Sequence, residues 1–206
     1  MRRIRAYIIN FQVFWQKINI SSSTFTVPKG VKKIDVFCVG GGGHGVGANF
    51  SDWFGGAGGG YTATKLGVDV NPGDVIAVTV GNGGGGTSSV GSICSAAGGN
   101  SGWKIGGSGG SGGGSYRFGI GGKDGGDGGT TSSYFPGIGQ HTTTRYFGES
   151  TGTLYSTGGN SADSYDAPRY DNYIAPQPNT GDGGHKGSRN AGGSGICIIR
   201  WGGQKS

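Results

Sequence analysis

GGSGGSGGGSYRFGIGGKDGGDGG, which spans residues 106–129, repeats glycine with a period of three. Every third residue from Gly107 to Gly128 is glycine, except Tyr116. Three residues per turn is the repeat of a polyproline II-type helix, which makes no internal hydrogen bonds. The N–H and C=O groups of such a helix need partners on neighbouring chains, and faces without side chains let those chains approach. The repeat therefore predicts polyglycine II helices that pack side by side.

The most regular face of the predicted helix carries no side chains. Its scaffold glycines are Gly107, Gly110, Gly113, Gly119, Gly122, Gly125 and Gly128. The third register carries Ser, Arg, Ile and Lys, so we expect Gly110→Val to cost far more stability than Ser111→Val. A collagen helix would need a proline-rich repeat, and none of the six prolines lies in this stretch. A flexible glycine–serine linker is the other alternative, but aromatic residues separate the glycine runs.

The rest of the composition favours strands. Glycine accounts for 52 of the 206 residues, and Val, Ile, Phe and Tyr supply most of the apolar side chains. Strand patterns occupy residues 24–27, 31–39, 60–66, 68–70, 75–80 and 195–201. We expect the last of these to pair with residues 31–39. The predicted fold class is all-β: a small, jelly-roll-like β-sandwich whose central insertion, at about residues 81–195, packs as polyglycine II helices.

The first twenty residues fit two patterns. Some of their apolar residues lie at helical spacing, whereas Phe11, Val13 and Trp15 alternate as in a strand. The β-branched and aromatic content favours the strand. We divide the chain into an N-terminal attachment arm, residues 1–23, and a glycine-rich β-sandwich domain, residues 24–206.

The charge and the cysteines exclude several classes of partner. The formal net charge is +6, and the basic residues outside the arm are scattered among acidic ones. There is no RGG run and no RNP-like aromatic motif, so we expect no nucleic-acid partner. No stretch is apolar enough to insert into a membrane. The three cysteines lack metal-ligand spacing, and the apolar runs around Cys38 and Cys197 predict buried free thiols.

Motifs of known chemistry are incomplete in this chain. Two G-x-G-x-x-G matches, beginning at Gly40 and Gly81, follow strands, but the residues after them could not form the helix that a dinucleotide site requires. No nucleophile elbow supports a Ser-His-Asp triad. Asp124, Asp127 and Asp182 lie among glycines, where solvated turns are favoured over a calcium site. We expect no enzyme activity, no cofactor and no metal.

Aromatic residues interrupt the glycine runs. Tyr combined with Ser, Gly and Asn is typical of adaptable recognition loops, in which rigid rings supply contact area at low entropic cost. The alternative is that these rings fill space between glycine helices, which have no side chains of their own. The candidate receptor-binding residues are Trp53, Phe54, Tyr116, Phe118, Tyr134, Phe135, Tyr146, Tyr165, Tyr170 and Tyr173.

Three blocks carry a family resemblance: FTVPKGVKKIDVFCVGGGG, GGGYTATKLGVDVNPGDVIAVTVGNGGGG and GGSGICIIRW, in this order over nearly the whole chain. They resemble the glycine-rich domain at the ends of bacteriophage tail-fibre and adhesin proteins. The glycine-helix part is also similar to the polyglycine-sandwich tail-tip adhesins of some phages. It is similar too to the glycine-rich domain of certain animal receptor kinases, which is disulfide-rich, whereas this chain has three cysteines. The resemblance implies a binding module on a virion or outside a cell, with its specificity in loops at the helix ends.

Together, the composition and the resemblance lead us to expect a phage adhesin or tail-fibre-tip module. It would be made in the host cytoplasm, lie on the virion surface and bind a host receptor, protein or glycan, through aromatic loops. The chain lacks a long shaft or trimerisation repeat, so residues 1–20 or partner chains would attach it to other virion or fibre proteins, and a homotrimer is a further expected arrangement. The alternative is a purely structural virion or extracellular surface protein. An ice-binding protein would need a regular Thr or Ala face, which the third glycine register lacks.

Overall fold

Two antiparallel β-sheets form the body of the molecule. The computed structural model describes residues 3–9, 12–45, 55–102, 106–113, 145–159, 176–184 and 192–202, with side chains from residue 15 onward. The strands are β1 (Arg3–Ile9), β2 (Gln12–Asn19), β3 (Ser23–Thr26), β4 (Lys33–Val39), β5 (Thr62–Asp69), β6 (Val75–Thr79), β7 (Ser88–Val90), β8 (Cys94–Ala96) and β9 (Ile196–Gly202). A 3-10 turn, Tyr146–Gly148, lies between β8 and β9 in sequence. The fold is all-β and forms a small sandwich, as predicted.

The larger sheet has the strand order β1-β2-β9-β4-β5. The C-terminal strand β9 lies between β2 and β4, with Ile199 opposite Val36 and Cys197 opposite Cys38. This confirms the predicted pairing of the last strand with residues 31–39. At the edge strand β5 the register with β4 shifts between Ile34 and Val36.

The main core lies between this sheet and the smaller one, whose order is β3-β6-β7-β8. Alternate residues of β4 and β9, such as Val36 and Ile199, pack against Phe25, Val78 and Val90 of the smaller sheet. All five are at most 2 % exposed. Each such side chain contributes about 1.5–3 kcal/mol through burial, so this core holds the two sheets together.

The outer face of the larger sheet is also covered. Phe37 and Ile198 pack there against Phe147 and Tyr155, which come from the chain between β8 and β9. The Phe37 ring centroid lies 6.1 Å from that of Phe147 and 5.4 Å from that of Tyr155. Both faces of β4 are therefore buried, as the continuous apolar run in its second half predicted.

Arg200 fixes this outer cover to the sheet. Its Nε lies 2.8 Å from Asp35 Oδ2 on β4, and its Nη1 lies 3.2 Å from Glu149 Oε1. The guanidinium carbon is 3.9 Å from the centroid of the Phe147 ring. One cation therefore bridges two strands and the turn that follows Tyr146.

The glycine-rich insertion is not continuous, which corrects the predicted range of residues 81–195. β7 and β8 lie inside that range and extend the smaller sheet from β6. Gly91, in the turn between them, has a φ of +50°. Strands of three residues are too short for an alternating pattern to identify them.

The N-terminal residues form strands rather than a helix, which confirms the favoured reading. β1 pairs with β2 in an unbroken register from Arg3 opposite Ile18 to Ile9 opposite Gln12. β2 also pairs with β9, so the second half of the expected attachment arm belongs to the larger sheet. The division of the chain at residue 24 itself stays a prediction.

The three cysteines lie together in the core. Cys38, Cys94 and Cys197 are free and buried, and Cys197 Sγ is 3.6 Å from Cys38 Sγ. The hydrogen bond with Cys197 raises the pKa of Cys38 far above its ordinary value, and the hydrogen bond with Cys38 does the same for the pKa of Cys94. Burial adds to both shifts. These two thiols stay protonated at neutral pH and are poor nucleophiles.

Candidate functional site

Glycine segments pack against one another beyond one end of the larger sheet. We call the set of residues 40–45, 55–61, 81–86, 97–102, 106–113, 156–159, 181–184 and 192–195 the glycine array. Its segments exchange backbone hydrogen bonds of 2.6–3.1 Å with several neighbours each. Two of its segments, residues 40–45 and 55–61, come from outside the predicted insertion. The array is thus assembled from chain that follows or precedes β4, β5, β6, β8 and β9.

The central segment of the array shows the geometry most clearly. Its N–H donors and their carbonyl acceptors are Ala57 to Gly184, Gly58 to Asn100, Gly59 to Ser111, Gly60 to Gly181 and Tyr61 to Ala97. The first and fourth acceptors belong to residues 181–184, and the second and fifth belong to residues 97–102. The bond direction therefore repeats every three residues, which is the repeat of a polyproline II-type helix. Residues 57–61 have five consecutive N–H groups satisfied without forming a sheet ladder.

Side chains have no room at the centre of the array. A Cβ at Gly107 would lie closer than 3.0 Å to the carbonyl oxygen of Asn100, and one at Gly110 would overlap that of Gly60. At Gly113 the obstacle is the carbonyl oxygen of Gly56. Real Cβ atoms essentially never approach other atoms so closely. The remaining scaffold glycines of the repeat, Gly119, Gly122, Gly125 and Gly128, lie outside the described residues.

Two serines of the array are buried. Ser111 is 4 % exposed, so its register does not face open space, and the expected tolerance of valine there loses its basis. Ser156 is fully buried with a φ of +65°, and its hydroxyl donates a hydrogen bond to the carbonyl of Gly60. A small hydroxyl side chain can therefore replace a glycine where it binds a neighbouring carbonyl.

The array has two ends. At the proximal end the chain passes into the sheets, since Gly40 follows β4 and Gly195 precedes β9. The opposite, distal end is marked by Gly43. The Gly43 N–H donates to Gly58 at 2.9 Å, and its carbonyl accepts from Gly184 at 3.0 Å and from Gly192 at 3.1 Å.

Chain positions that flank the undescribed segments meet at the distal end. Gly184 and Gly192, which flank residues 185–191, both bind the Gly43 carbonyl. In sequence, residues 103–105 follow Gly102, where a Cβ would meet the carbonyls of Gly55 and Gly56. They precede a segment in which the Gly107 N–H donates to the Gly56 carbonyl at 2.9 Å. Gly55 also directly follows residues 46–54 in sequence.

Two longer segments also begin at the distal end. Residues 114–144 follow Gly113, which packs on the carbonyl of Gly56. Residues 160–175 follow Gly159, which packs on the carbonyl of Gly184 and donates to Ala57 at 2.8 Å. The array therefore brings the first attachment point of both segments to the distal end, whereas the chain after residue 144 continues at the outer face of the larger sheet beside Tyr146.

The candidate binding residues themselves are mostly outside the described part of the chain. This holds for Trp53, Phe54, Tyr116, Phe118, Tyr134, Phe135, Tyr165, Tyr170 and Tyr173. Tyr146 is described and lies at the outer face of the larger sheet, with its ring 5.8 Å from that of Phe147 and nearly perpendicular to it. The structure thus separates Tyr146 from the distal end.

Polar residues that the sequence did not single out for binding are exposed at the distal end. They are His44, Asn100 and Ser101. Asn100 Nδ2 donates to Ser108 Oγ at 2.7 Å, which fixes two neighbouring segments of the array to each other. The only sequence signal for these residues is that they interrupt or end glycine runs. Among the described residues no cluster of His, Cys, Asp or Glu could hold a metal ion.

A comparison with protein families matches residues 18–202 to a family described as a glycine-rich domain. The chain belongs to this family. The match begins within β2 and ends with β9, so this glycine-rich domain comprises both sheets and the array. No match was found among curated proteins. In the described part of the glycine-rich domain, no helix has the length and apolar character needed to span a membrane.

Proposed function

We propose that this glycine-rich domain is a receptor-binding module: an adhesin or tail-fibre-tip domain of a phage that recognises a host cell surface without catalysing a reaction. The observation that carries the proposal is the position, at the distal end of the array, of residues next to the aromatic segments. There residues 46–54, which contain Trp53, adjoin the array, and the segments that contain Tyr116, Tyr134 and Tyr165 leave it. Aromatic side chains from several segments are typical of an adaptable recognition site.

The rigidity of the array supports the proposal. Residues 57–61 are held by consecutive backbone hydrogen bonds to neighbours, and side chains at the flanking glycines are excluded. Loops that start from fixed anchors lose less conformational entropy on binding than loops on a mobile base. His44, Asn100 and Ser101 would contribute polar contacts beside the aromatic residues.

The surroundings of the module follow from the same proposal. The protein would be made in the host cytoplasm, where its three thiols stay reduced, and then be exposed on the virion surface. Its ligand would be a protein or glycan of the host surface. Other virion or fibre proteins would contact residues 1–20, of which β1 and β2 belong to the larger sheet.

A second candidate function is purely structural. Phe147 and Tyr155 belong to the chain between β8 and β9, yet both are buried against Phe37. If the aromatic residues of the inserts were buried in the same way, the domain would stiffen a virion or an extracellular surface without recognising a ligand.

Binding to cells distinguishes the two functions. Fluorescently labelled protein is incubated with a panel of bacterial strains, and a strain that binds it is used to compare variants. We expect the triple variant Tyr165→Ala, Tyr170→Ala, Tyr173→Ala to lose at least tenfold in binding. The matched control is Leu66→Ala with Val75→Ala, because these side chains are 61 % and 67 % exposed on the sheets.

Unchanged binding by the triple variant, with the control also unchanged, would reject these tyrosines as the site. Absence of binding to every strain, by a protein whose circular dichroism and cooperative melting show that it is folded, would favour the structural function.

A further inference from the structure

β1 is an edge strand of the larger sheet in the described part of the chain. Among the described residues it pairs with β2 alone, and its seven residues keep one register without Gly, Pro or a bulge. The other three sheet edges are short or irregular. β3 has four residues and β8 has three, while β5 is interrupted by a register shift and by Gly67 at a φ of +62°. Unpaired backbone groups on a long, regular edge are a template for a further strand.

An exposed tryptophan lies beside this edge. Trp15 on β2 is 42 % exposed and is the register partner of Ala6 on β1 and of Trp201 on β9. Trp201 is only 8 % exposed, because it packs on Phe25 of β3, the edge of the smaller sheet. The apolar surface of the larger sheet thus extends from Trp201, which Phe25 covers, to Trp15, which is exposed beside β1.

We propose that β1 binds β1 of a second copy of this chain, antiparallel, about a two-fold axis at Ala6. In that register Ile4 stands opposite Ile8, Arg5 opposite Tyr7 and Arg3 opposite Ile9. Every residue of β1 finds an opposite residue, and no two arginines face each other. An isologous contact of this kind closes after two copies, so it forms a dimer rather than a filament.

The charge of the strand disfavours registers centred nearer its N-terminus. Centring the pair on Arg5 would place the two copies of Arg5 opposite each other, and centring it on Ile4 would place Arg3 opposite Arg5. Like charges directly opposite are destabilising in an antiparallel pair. The first acidic residue of the chain is Asp35, so the two N-terminal regions still repel at longer range. Salt screens that repulsion, so the dimer becomes tighter as ionic strength rises.

A cysteine at the axis tests the register. In the full-length chain carrying Ala6→Cys, the two new thiols would stand directly opposite, with Cβ atoms about 4.5–5.5 Å apart. This is close to the Cβ separation of a disulfide. Oxidised glutathione would accept the two electrons, leaving one intermolecular disulfide and two reduced glutathione molecules. The matched control is Ile4→Cys, because its copies would be four residues apart along the strand, about 13 Å.

The expected result is a covalent dimer from Ala6→Cys on a non-reducing gel and little from Ile4→Cys. Wild type supplies the background, since Cys38, Cys94 and Cys197 are buried. Sedimentation equilibrium of the wild-type chain should show a monomer–dimer equilibrium that salt shifts towards the dimer.

Equal cross-linking of the two variants, a wild-type chain that stays monomeric, or a trimer would each overturn the inference. The wild-type measurement keeps the test decisive if a cysteine variant misfolds. The inference does not depend on the proposed receptor-binding function.

Discussion

Gly110 shows why single glycines limit this fold. Its N–H donates to the Gly59 carbonyl at 2.9 Å, and the space where a Cβ would stand holds the Gly60 carbonyl and the Ser156 hydroxyl. These are mostly backbone atoms, which cannot rotate away as a flexible side chain could. At this position glycine is needed for its missing side chain rather than for an unusual φ.

We predict that Gly110→Ala destabilises the protein by about 1–3 kcal/mol or more, the usual cost of overpacking a closed site. This exceeds the gain of about 0.4–1 kcal/mol that alanine brings by restricting the unfolded chain. The matched control is Ser108→Ala, which removes only the hydrogen bond from Asn100 and should cost about 0.5–1 kcal/mol. Urea unfolding monitored by tryptophan fluorescence measures both changes.

Equal effects at positions 108 and 110 would mean that the array yields locally to a side chain. Close packing of backbones would then not be the source of the glycine repeat. Ser111 is a poor control, because it is itself buried.

At the scale of elements, the turn that follows Tyr146 is held to the larger sheet through Arg200. The guanidinium binds Asp35 and Glu149 and lies over the Phe147 ring. Its side chain is 15 % exposed, so solvent weakens these ion pairs less than it weakens surface pairs. The turn carries Phe147, which covers the outer face of β4.

We predict that Arg200→Met lowers the free energy of unfolding by about 2 kcal/mol, because two partly buried carboxylates lose their shared cation. The change should be coupled to Glu149. In a double-mutant cycle, Glu149→Gln should cost less in the Arg200→Met background than in wild type. Lys33 and Asp69 form an exposed pair between β4 and β5, and Lys33→Met supplies the control with an effect below about 1 kcal/mol. Additive effects at positions 200 and 149 would show that the turn is held by Phe147 packing alone.

The longer strands could be predicted from the sequence because their patterns are local. Residues 36–39 and 196–199 are apolar on both faces, and the larger sheet buries both faces of these parts of β4 and β9. The hairpin of β7 and β8 could not be predicted, because three residues carry no recognisable period. The cysteine cluster was also hidden, since the contact of Cys94 with Cys38 depends on how the two sheets face each other.

At the scale of the whole molecule, the period of three predicted polyglycine helices but not their partners. A glycine repeat does not specify which segments will bond, because bare faces are chemically alike. The partners are set by the strands, which deliver residues 40–45, 55–61 and 192–195 to one place beyond the larger sheet. The shared starting point of the two longer aromatic inserts at the distal end is a consequence of that assembly, so it became visible only in the structure.

The array also determines how the protein responds to temperature. Unfolding raises the heat capacity through exposed apolar surface and lowers it through exposed polar surface, by about 0.45 and 0.26 cal/mol/K per Å² respectively. The array buries peptide groups with very few apolar side chains, so its two contributions nearly cancel.

We therefore predict a heat-capacity change of unfolding clearly below the value of about 2.5–3 kcal/mol/K that is usual for 206 residues. Differential scanning calorimetry at several pH values, with the unfolding enthalpy plotted against the midpoint temperature, gives this quantity as a slope. A slope at or above the usual value would contradict the prediction. A small slope flattens the stability curve, so backbone packing without side chains would keep the fold intact over a wider range of cold and heat than an ordinary core allows.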